Sequence, residues 1–485
     1  MGVKGGTLKD NADLSALGIK QGQVLMLMGT AEKLAEPPAE KIVFAEDMPA
    51  DEVAAASTTN PGGLANLGNT CYLNSTLQVM KQVPELTTSL QLYTPTAPET
   101  DTMVVGMRDI VGELERSNAT KEVVPYKFVN TFRTAFPMFA ERTEDGRGYV
   151  QQDAEECWST ILNGLSQRVR YASDGSASNI LPTQPKLPNM TALHDNMGDA
   201  LFGLETESLY TNTEAEAEPP FTARESMRKI PCHISDKTAH LYNALEASLE
   251  EPIDKTSSLL SRECRYTKKS RIARLPPYLT VQFVRFAWRK DTAKRAKILR
   301  PVSFPDVLDV RNLLTPDLQK AVNAHCEILD RAKEAALAEE KAKMNAERKA
   351  ASALDGEPAS METDAAAPAP AASTSAEGDA SMVTAPTPAP TLEELEALAK
   401  GAEGAGHDCK TGRYELFGII THQGRTAEGG HYVAWLKKDA KKWLVFDDET
   451  VAEVDAERIK ELHGGSGDWH IAYMCLFRKM EGTSL

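Results

Sequence analysis

Residues 413–448 carry three strand-type runs in succession, and that order leaves few folds open. RYELFGIITHQG (413–424) is rich in aromatic and branched residues. A polar loop, Arg425-Thr426-Ala427-Glu428-Gly429-Gly430, separates it from HYVAWL (431–436), which alternates enough to be a second strand. KWLVFDD (442–448) reads as a third strand that ends in paired carboxylates. Short links between such runs predict an antiparallel meander. In a meander the end of the third strand lies near the start of the second, so Asp447 or Asp448 falls close to His431. A carboxylate there orients an imidazole and stabilises its charged form. Gly429 and Gly430 leave room for a ligand backbone beside it. A lone histidine is as easily structural; the Gly-Gly-His-Tyr start and Phe-Asp-Asp end together point to an acid–base group.

An acid–base group needs a nucleophile, and GLANLGNTCYLNS (63–75) offers one. Tyr72, Leu73, Leu77 and Met80 fall at helical spacing. Asn69 or Thr70 can cap that helix. Cys71 then sits in the first turn, where unpaired N–H groups and the helix dipole favour a thiolate. Asn66 carries an amide able to donate to an oxyanion. Taken alone, Cys71 reads first as a small buried core residue, and it is the rest of the chain that reverses this.

The chain between these segments changes character. Helical spacing predicts helices over 71–82, 103–117, 126–136 and 151–170. In the last, Cys157, Ile161, Leu165 and Val169 share one face, so Cys157 reads as core. Strand patterns follow at 201–212, 227–235, 278–288 and 296–304. Residues 331–351 form a charge-laced helix pattern. Residues 368–390 lack the apolar content to fold. Thr391-Leu392-Glu393-Glu394 fits a capping box. Seven scattered cysteines and no Cys-x-x-Cys pair suit a reducing compartment and give no zinc site, so no metal or other cofactor is expected. Cys232-His233 with Cys264 supplies too few ligands at usable spacing. A net charge of −16 argues against nonspecific nucleic-acid binding. No run of apolar residues reaches the length of a membrane span.

GLANLGNTCYLNS (63–75), YVQQDAEECW (149–158), LPPYLTVQFVRF (275–286), GGHYVAW (429–435), WLVFDD (443–448) and GDWHIAYMCLF (467–477) resemble the successive boxes of a ubiquitin-specific protease, nearest to the proteasome-associated members. The resemblance runs from about residue 62 to 478, apart from one insert. It implies an α+β papain-like right-hand fold of thumb, palm and fingers. Residues 62–479 are then the catalytic domain, interrupted by an insert at 330–405 and followed by a tail at 480–485. Residues 5–30 resemble the C-terminal half of a ubiquitin-like β-grasp domain. The segment 1–30 is then a partial domain and 31–61 a linker. So short a piece cannot bury a core alone, which implies a loosely held segment and weak anchoring through it.

The resemblance also implies an activity. Cys71 attacks the C-terminal glycine carbonyl of ubiquitin, His431 moves the proton, Asp447 orients His431 with Asp448 as the alternative, and Asn66 with the Cys71 N–H holds the oxyanion. Gln152, Asp153, Phe286, Tyr432 and Tyr473 match positions that line the channel for the ubiquitin tail. Phe286 and Tyr473 read equally as core, and Asp153 as a charge at a helix start. Implied partners are ubiquitin, ubiquitinated proteins and the 26S proteasome regulatory particle, in the cytoplasm and nucleus; no nucleic acid or membrane is implied. Two polar loops, 288–294 and 424–430, correspond to segments that cover the cleft until docking moves them. The rival readings are a mainly non-catalytic ubiquitin-binding regulator of the proteasome and a general papain-like endopeptidase.

Overall fold

The computed structural model describes residues 60–95, 100–119, 121–170, 196–215, 217–235, 238–289, 294–354, 390–403, 408–424, 429–465 and 470–482. The ubiquitin-like reading of residues 1–30, nearly all of the linker, residues 355–389 of the insert and the centres of both polar loops lie outside them.

The helical half comprises α1 (Cys71–Lys81), α2 (Pro84–Leu92), α3 (Thr102–Arg116), α4 (Tyr126–Ala135), α5 (Ala154–Arg168) and α6 (Met197–Phe202). Residues 71–80 of α1 are buried on every side. Its polar side chains are therefore bonded internally: the Ser75 and Thr76 hydroxyls donate to the Tyr72 carbonyl at 3.2 and 2.7 Å, and Gln78 Nε2 donates to the Gly62 carbonyl at 3.1 Å. In α5, Cys157, Ile161 and Leu165 are buried, as the one-faced spacing requires.

The strands are β1 (Leu204–Asn212), β2 (Phe221–Met227), β3 (Ile230–His233), β4 (Glu250–Thr256), β5 (Glu263–Arg274), β6 (Tyr278–Val284), β7 (Phe286–Arg289), β8 (Lys294–Lys297), β9 (Val307–Asp309), β10 (Arg413–Gln423), β11 (His431–Lys437), β12 (Lys442–Asp447), β13 (Thr450–Asp455) and β14 (Ile471–Lys479). The large sheet runs β13-β12-β11-β10-β14-β6-β3, with β9 on β10. Its β10-β11-β12 portion is the antiparallel meander expected from the three runs. β10 and β11 are buried on both faces, which is why their sequences read as nearly continuous apolar runs. One face meets a core with Leu73, Leu77, Trp158 and Phe446. The other meets a core with Phe283, Leu416, Trp435 and Trp443. Helices and sheets are largely segregated along the chain, so the fold is α+β.

The smaller sheet, β2-β1-β5-β4, departs from expectation, because β2, β4 and β5 were not foreseen. Their exposed faces are charged and their shared core is thin: Tyr210, Cys264 and Tyr266. Cross-strand pairs such as Lys268 with Glu225 at 2.9 Å flank it. At one end the Glu218 carboxylate accepts from Asn212, Ser257, Ser258 and Tyr266, a hydrogen-bonded knot rather than an apolar one. The run 296–304 was also expected as a strand. The strand ends at Lys297, with Ile298 N making one further bond to the Arg285 carbonyl at 2.7 Å.

Helix α7 (Leu241–Ser248) packs on β3. Helix α8 (Pro316–Leu354) anchors its first turns in the core through Leu318, Val322 and Cys326. Residues 332–345 are then exposed and charge-laced, with Lys343 and Glu339 at 2.8 Å. In α9 (Leu392–Glu403) the capping box forms in both directions: Thr391 N to Glu394 Oε2 at 2.8 Å, and Glu394 N to Thr391 Oγ1 at 3.3 Å.

Candidate active site

Asp448 joins the helical half to the sheet. It follows β12 at φ 50°, a left-handed conformation that aspartate tolerates better than most residues. Its carbonyl accepts from Leu64 N at 2.8 Å. Its carboxylate accepts from Asn66 Nδ2 at 2.7 Å and from Asn74 Nδ2, on α1, at 2.8 Å. Gly63 passes so close that a Cβ there would stand 2.3 Å from the Glu449 carbonyl oxygen. The segment that carries Cys71 is thereby fastened to the end of β12. Burial raises the Asp448 pKa, and the two amides pull it back.

His431 opens β11, and the register of Ala434 with Phe446 brings the end of β12 beside it. His431 Nε2 lies 2.5 Å from Asp447 Oδ1. Of the two candidate carboxylates, Asp447 is thus the one on the imidazole, while both oxygens of Asp448 face amides. The Asp447 hydrogen bond, followed by Cys71, lifts the His431 pKa to about 10, and the same bond lowers that of Asp447. Nε2 is taken by Asp447, so Nδ1 is the nitrogen left for the thiol.

Cys71 is the first residue of α1 and is buried. The expected side-chain cap does not form. Thr70 is the N-cap residue but sits at φ −97°, ψ 9°, outside the extended geometry a cap needs. Its hydroxyl instead accepts from Leu67 N at 2.9 Å. Asn69 donates to the Tyr149 carbonyl at 3.0 Å. No side chain caps the first turn; Leu73 N and Asn74 N bond to the Thr70 carbonyl at 3.0 and 2.9 Å, which leaves the Cys71 N–H as the backbone donor nearest the thiol. Asn66 Oδ1 accepts from Gly68 N at 2.9 Å while one amide hydrogen goes to Asp448. An amide carries two donors, so the second remains for a substrate oxygen.

The residues expected to line a tail channel divide. Asp153 caps α5, accepting from Glu155 N at 2.8 Å, and takes the Tyr473 hydroxyl at 2.7 Å. The Gln152 amide nitrogen is buried without a hydrogen-bond partner. Phe286, Tyr432 and Tyr473 form an aromatic wall with His422, with ring centroids 4.7–5.8 Å apart. Tyr432 and Tyr473 are buried, so in this conformation they build the wall behind the cleft and present little open surface. Asp153→Ala is expected to destabilise the fold by about 2 kcal/mol, from the lost cap and the stranded Tyr473 hydroxyl. Urea unfolding measures it.

Several residues near the site were missed. Gln151 Nε2 points at Cys71 Sγ from 3.7 Å, one position before the glutamine that was singled out. The repeated Gln-Gln ahead of an N-cap aspartate was the available signal. His422 and His470 had none, being ordinary strand residues in sequence. Burial first, then the neighbouring cations Lys297 and His431 respectively, hold their pKa values down to about 3 and 4. Groups kept neutral in the fold gain protons on unfolding, so stability is expected to fall as pH drops from about 6.5 toward 3. Denaturant midpoints at pH 7, 5.5 and 4.5 measure this, and His422→Phe should flatten part of the decline.

His431, Asp447 and Asp448 are the one group among the described residues with ligand atoms close enough for a metal, all within 4.8 Å. Its nitrogen and carboxylate oxygens are already paired as above, which fits acid–base chemistry better than ligation. Cys232 and Cys264 lie on β3 and β5, in different sheets.

Comparison with known proteins gives a consistent answer. A family model described as ubiquitin carboxyl-terminal hydrolase matches residues 62–477. The chain is 37% identical to ubiquitin carboxyl-terminal hydrolase 6 of Arabidopsis thaliana, over 98% of this chain and 89% of that protein. It is 32% identical to ubiquitin carboxyl-terminal hydrolase 6 of Schizosaccharomyces pombe, over 98% and 89%. It is 30% identical to ubiquitin carboxyl-terminal hydrolase 14 of Caenorhabditis elegans, over 98% and 84%.

Proposed function

Because the chain belongs to the ubiquitin carboxyl-terminal hydrolase family of deubiquitinating cysteine proteases, we propose that Cys71, His431, Asp447 and Asn66 cleave the bond at the C-terminal glycine of ubiquitin, on proteasome-bound conjugates. The single observation that carries the residue roles is the 2.5 Å His431–Asp447 pair with Cys71 as the second group favouring the charged imidazole.

The resting proton sits on His431. The Cys71 thiolate attacks the glycine carbonyl, and the oxyanion is held by the free Asn66 amide hydrogen and the Cys71 N–H. His431 gives its proton to the departing lysine amine as the carbon–nitrogen bond breaks. Water, deprotonated by His431, then hydrolyses the thioester and returns the thiolate. Gln152, Asp153, Phe286, Tyr432 and Tyr473 form the wall along which the ubiquitin tail runs.

The proteasome as partner is supported by the likeness of the boxes to proteasome-associated members and by residues 5–30, which resemble part of a ubiquitin-like domain. The seven free cysteines suit the reducing cytoplasm and nucleus. One experiment tests both levels. The enzyme should cleave ubiquitin-aminomethylcoumarin and leave casein intact. The rate should rise with added proteasomes whose own deubiquitinases are blocked. Casein cleavage would overturn the substrate class; an unchanged rate at saturating proteasome would overturn the partner.

A further inference from the structure

Lys297 is a charged group held by several bonds next to the site, at the end of β8 and paired across the hairpin with Phe286. It is buried. Its ammonium donates to His422 Nδ1 at 2.9 Å, the His422 carbonyl at 2.6 Å and the Gly424 carbonyl at 3.1 Å. An ammonium has three hydrogens, so these neutral acceptors use all of them. Burying a lysine among neutral acceptors costs more than burying a methionine of similar reach. Packing alone does not account for it.

What the three bonds hold is the end of β10, beside the start of the strand that His431 opens. His422 and Gly424 flank the end of β10, and Gln423 pairs in register with His431. The far side of the His422 ring faces Gly430, where an added Cβ would lie 2.5 Å from Nε2. Gly430 has φ 137°, open to glycine alone, and immediately precedes His431. The same ring lies 4.7 Å from Tyr432 and 5.3 Å from Phe286. A shift of His422 therefore reaches both the general acid–base residue and the aromatic wall.

We propose that Lys297 is a positioning residue for His431: by gripping the His422 ring and the His422 and Gly424 carbonyls, it fixes the Gly430 backbone from which the imidazole projects. The inference rests on the reading of His431 as the acid–base group. A displacement of about 1 Å at a reacting group costs on the order of 10²-fold in rate.

Lys297→Met is the test. Its kcat on ubiquitin-aminomethylcoumarin should fall about 10- to 100-fold, with KM within about threefold of wild type. Histidine-labelled NMR supplies a readout that a loss of packing would not move. In wild type His431 should keep its proton past pH 9, in line with its pKa of about 10; burial holds Lys297 down to about 8, so above that pH its neutral amine keeps the grip with two hydrogens. In Lys297→Met the midpoint should drop by about one unit or more as the ring leaves Asp447. This titration is independent of the substrate, so it stands even if ubiquitin is not cleaved. An unmoved His431 midpoint, or a kcat within about twofold of wild type, overturns the proposal. If Lys297→Met does not fold, His422→Phe decides. It keeps an aromatic ring but removes the nitrogen that Lys297 grips, and it should lower both kcat and the His431 midpoint; a wild-type titration there overturns the proposal.

Discussion

Cys71→Ser is expected to lower kcat on ubiquitin-aminomethylcoumarin by about 10⁴-fold or more, while ubiquitin binding stays within about twofold of wild type. A serine hydroxyl at this position keeps the packing but supplies almost no anion to an imidazole placed for a thiolate. The other cysteines are poor substitutes. Burial pushes up the thiols of Cys157, Cys232, Cys326, Cys409 and Cys475, with Cys232 reaching about 12. Ubiquitin vinyl sulfone should therefore label the wild type once, at Cys71, and leave the variant unlabelled. Persistent labelling, or a label at another cysteine, would remove Cys71 from its role. Retained binding with no turnover also separates a catalytic enzyme from a ubiquitin-binding regulator, since in a regulator the substitution would change nothing measurable.

Asp447→Asn should lower kcat by on the order of 10²- to 10⁴-fold, toward the lower end because this carboxylate is partly solvated. Asparagine preserves shape but gives up the carboxylate whose hydrogen bond is the main cause of the raised His431 pKa. The sign of the accompanying pH effect follows. A histidine whose pKa rises from 6.5 to about 10 on folding adds stability that is complete below pH 6.5 and is lost as pH climbs toward 10. Wild-type stability should decline between pH 7 and 9.5 from this group, and Asp447→Asn should flatten that decline. Urea unfolding at the two ends of the window measures it. Asp448→Asn is the control. It should act through the Asn66 and Asn74 amides, leaving the His431 titration nearly in place. A larger fall in the His431 midpoint from Asp448→Asn than from Asp447→Asn would reverse the assignment.

The candidate site was more legible than the framework around it. Cys71, His431 and the Asp447–Asp448 pair stood out because each sits at a start or end of an element, where a change of pattern marks it. The β10-β11-β12 meander was legible for a related reason: short links between strand-type runs leave antiparallel neighbours as the simple solution. The smaller sheet was not. β2, β4 and β5 bury one thin face and hold their edges with Lys, Arg and Glu pairs, so their sequences look like loops. Burial decides strand formation there through partners that come from elsewhere in the chain.

The roles of neighbouring residues divide along the same line. Sequence alone determined which side chains can do the chemistry: a thiol at a helix start, an imidazole at a strand mouth and a carboxylate at the end of the adjoining strand. It named Asp447 but had to keep Asp448 as the alternative, because consecutive residues at a strand end differ only in which way each side chain turns. Tertiary structure chose, by turning Asp448 through φ 50° onto Asn66 and Asn74 and leaving Asp447 on His431. The grip of Lys297 on His422 and Gly424 was equally out of reach. Local pattern records the backbone's own preferences, whereas the bonds of Asp448 to Asn66 and Asn74 and of Lys297 to His422 and Gly424 join segments far apart in the chain and exist only in the folded molecule.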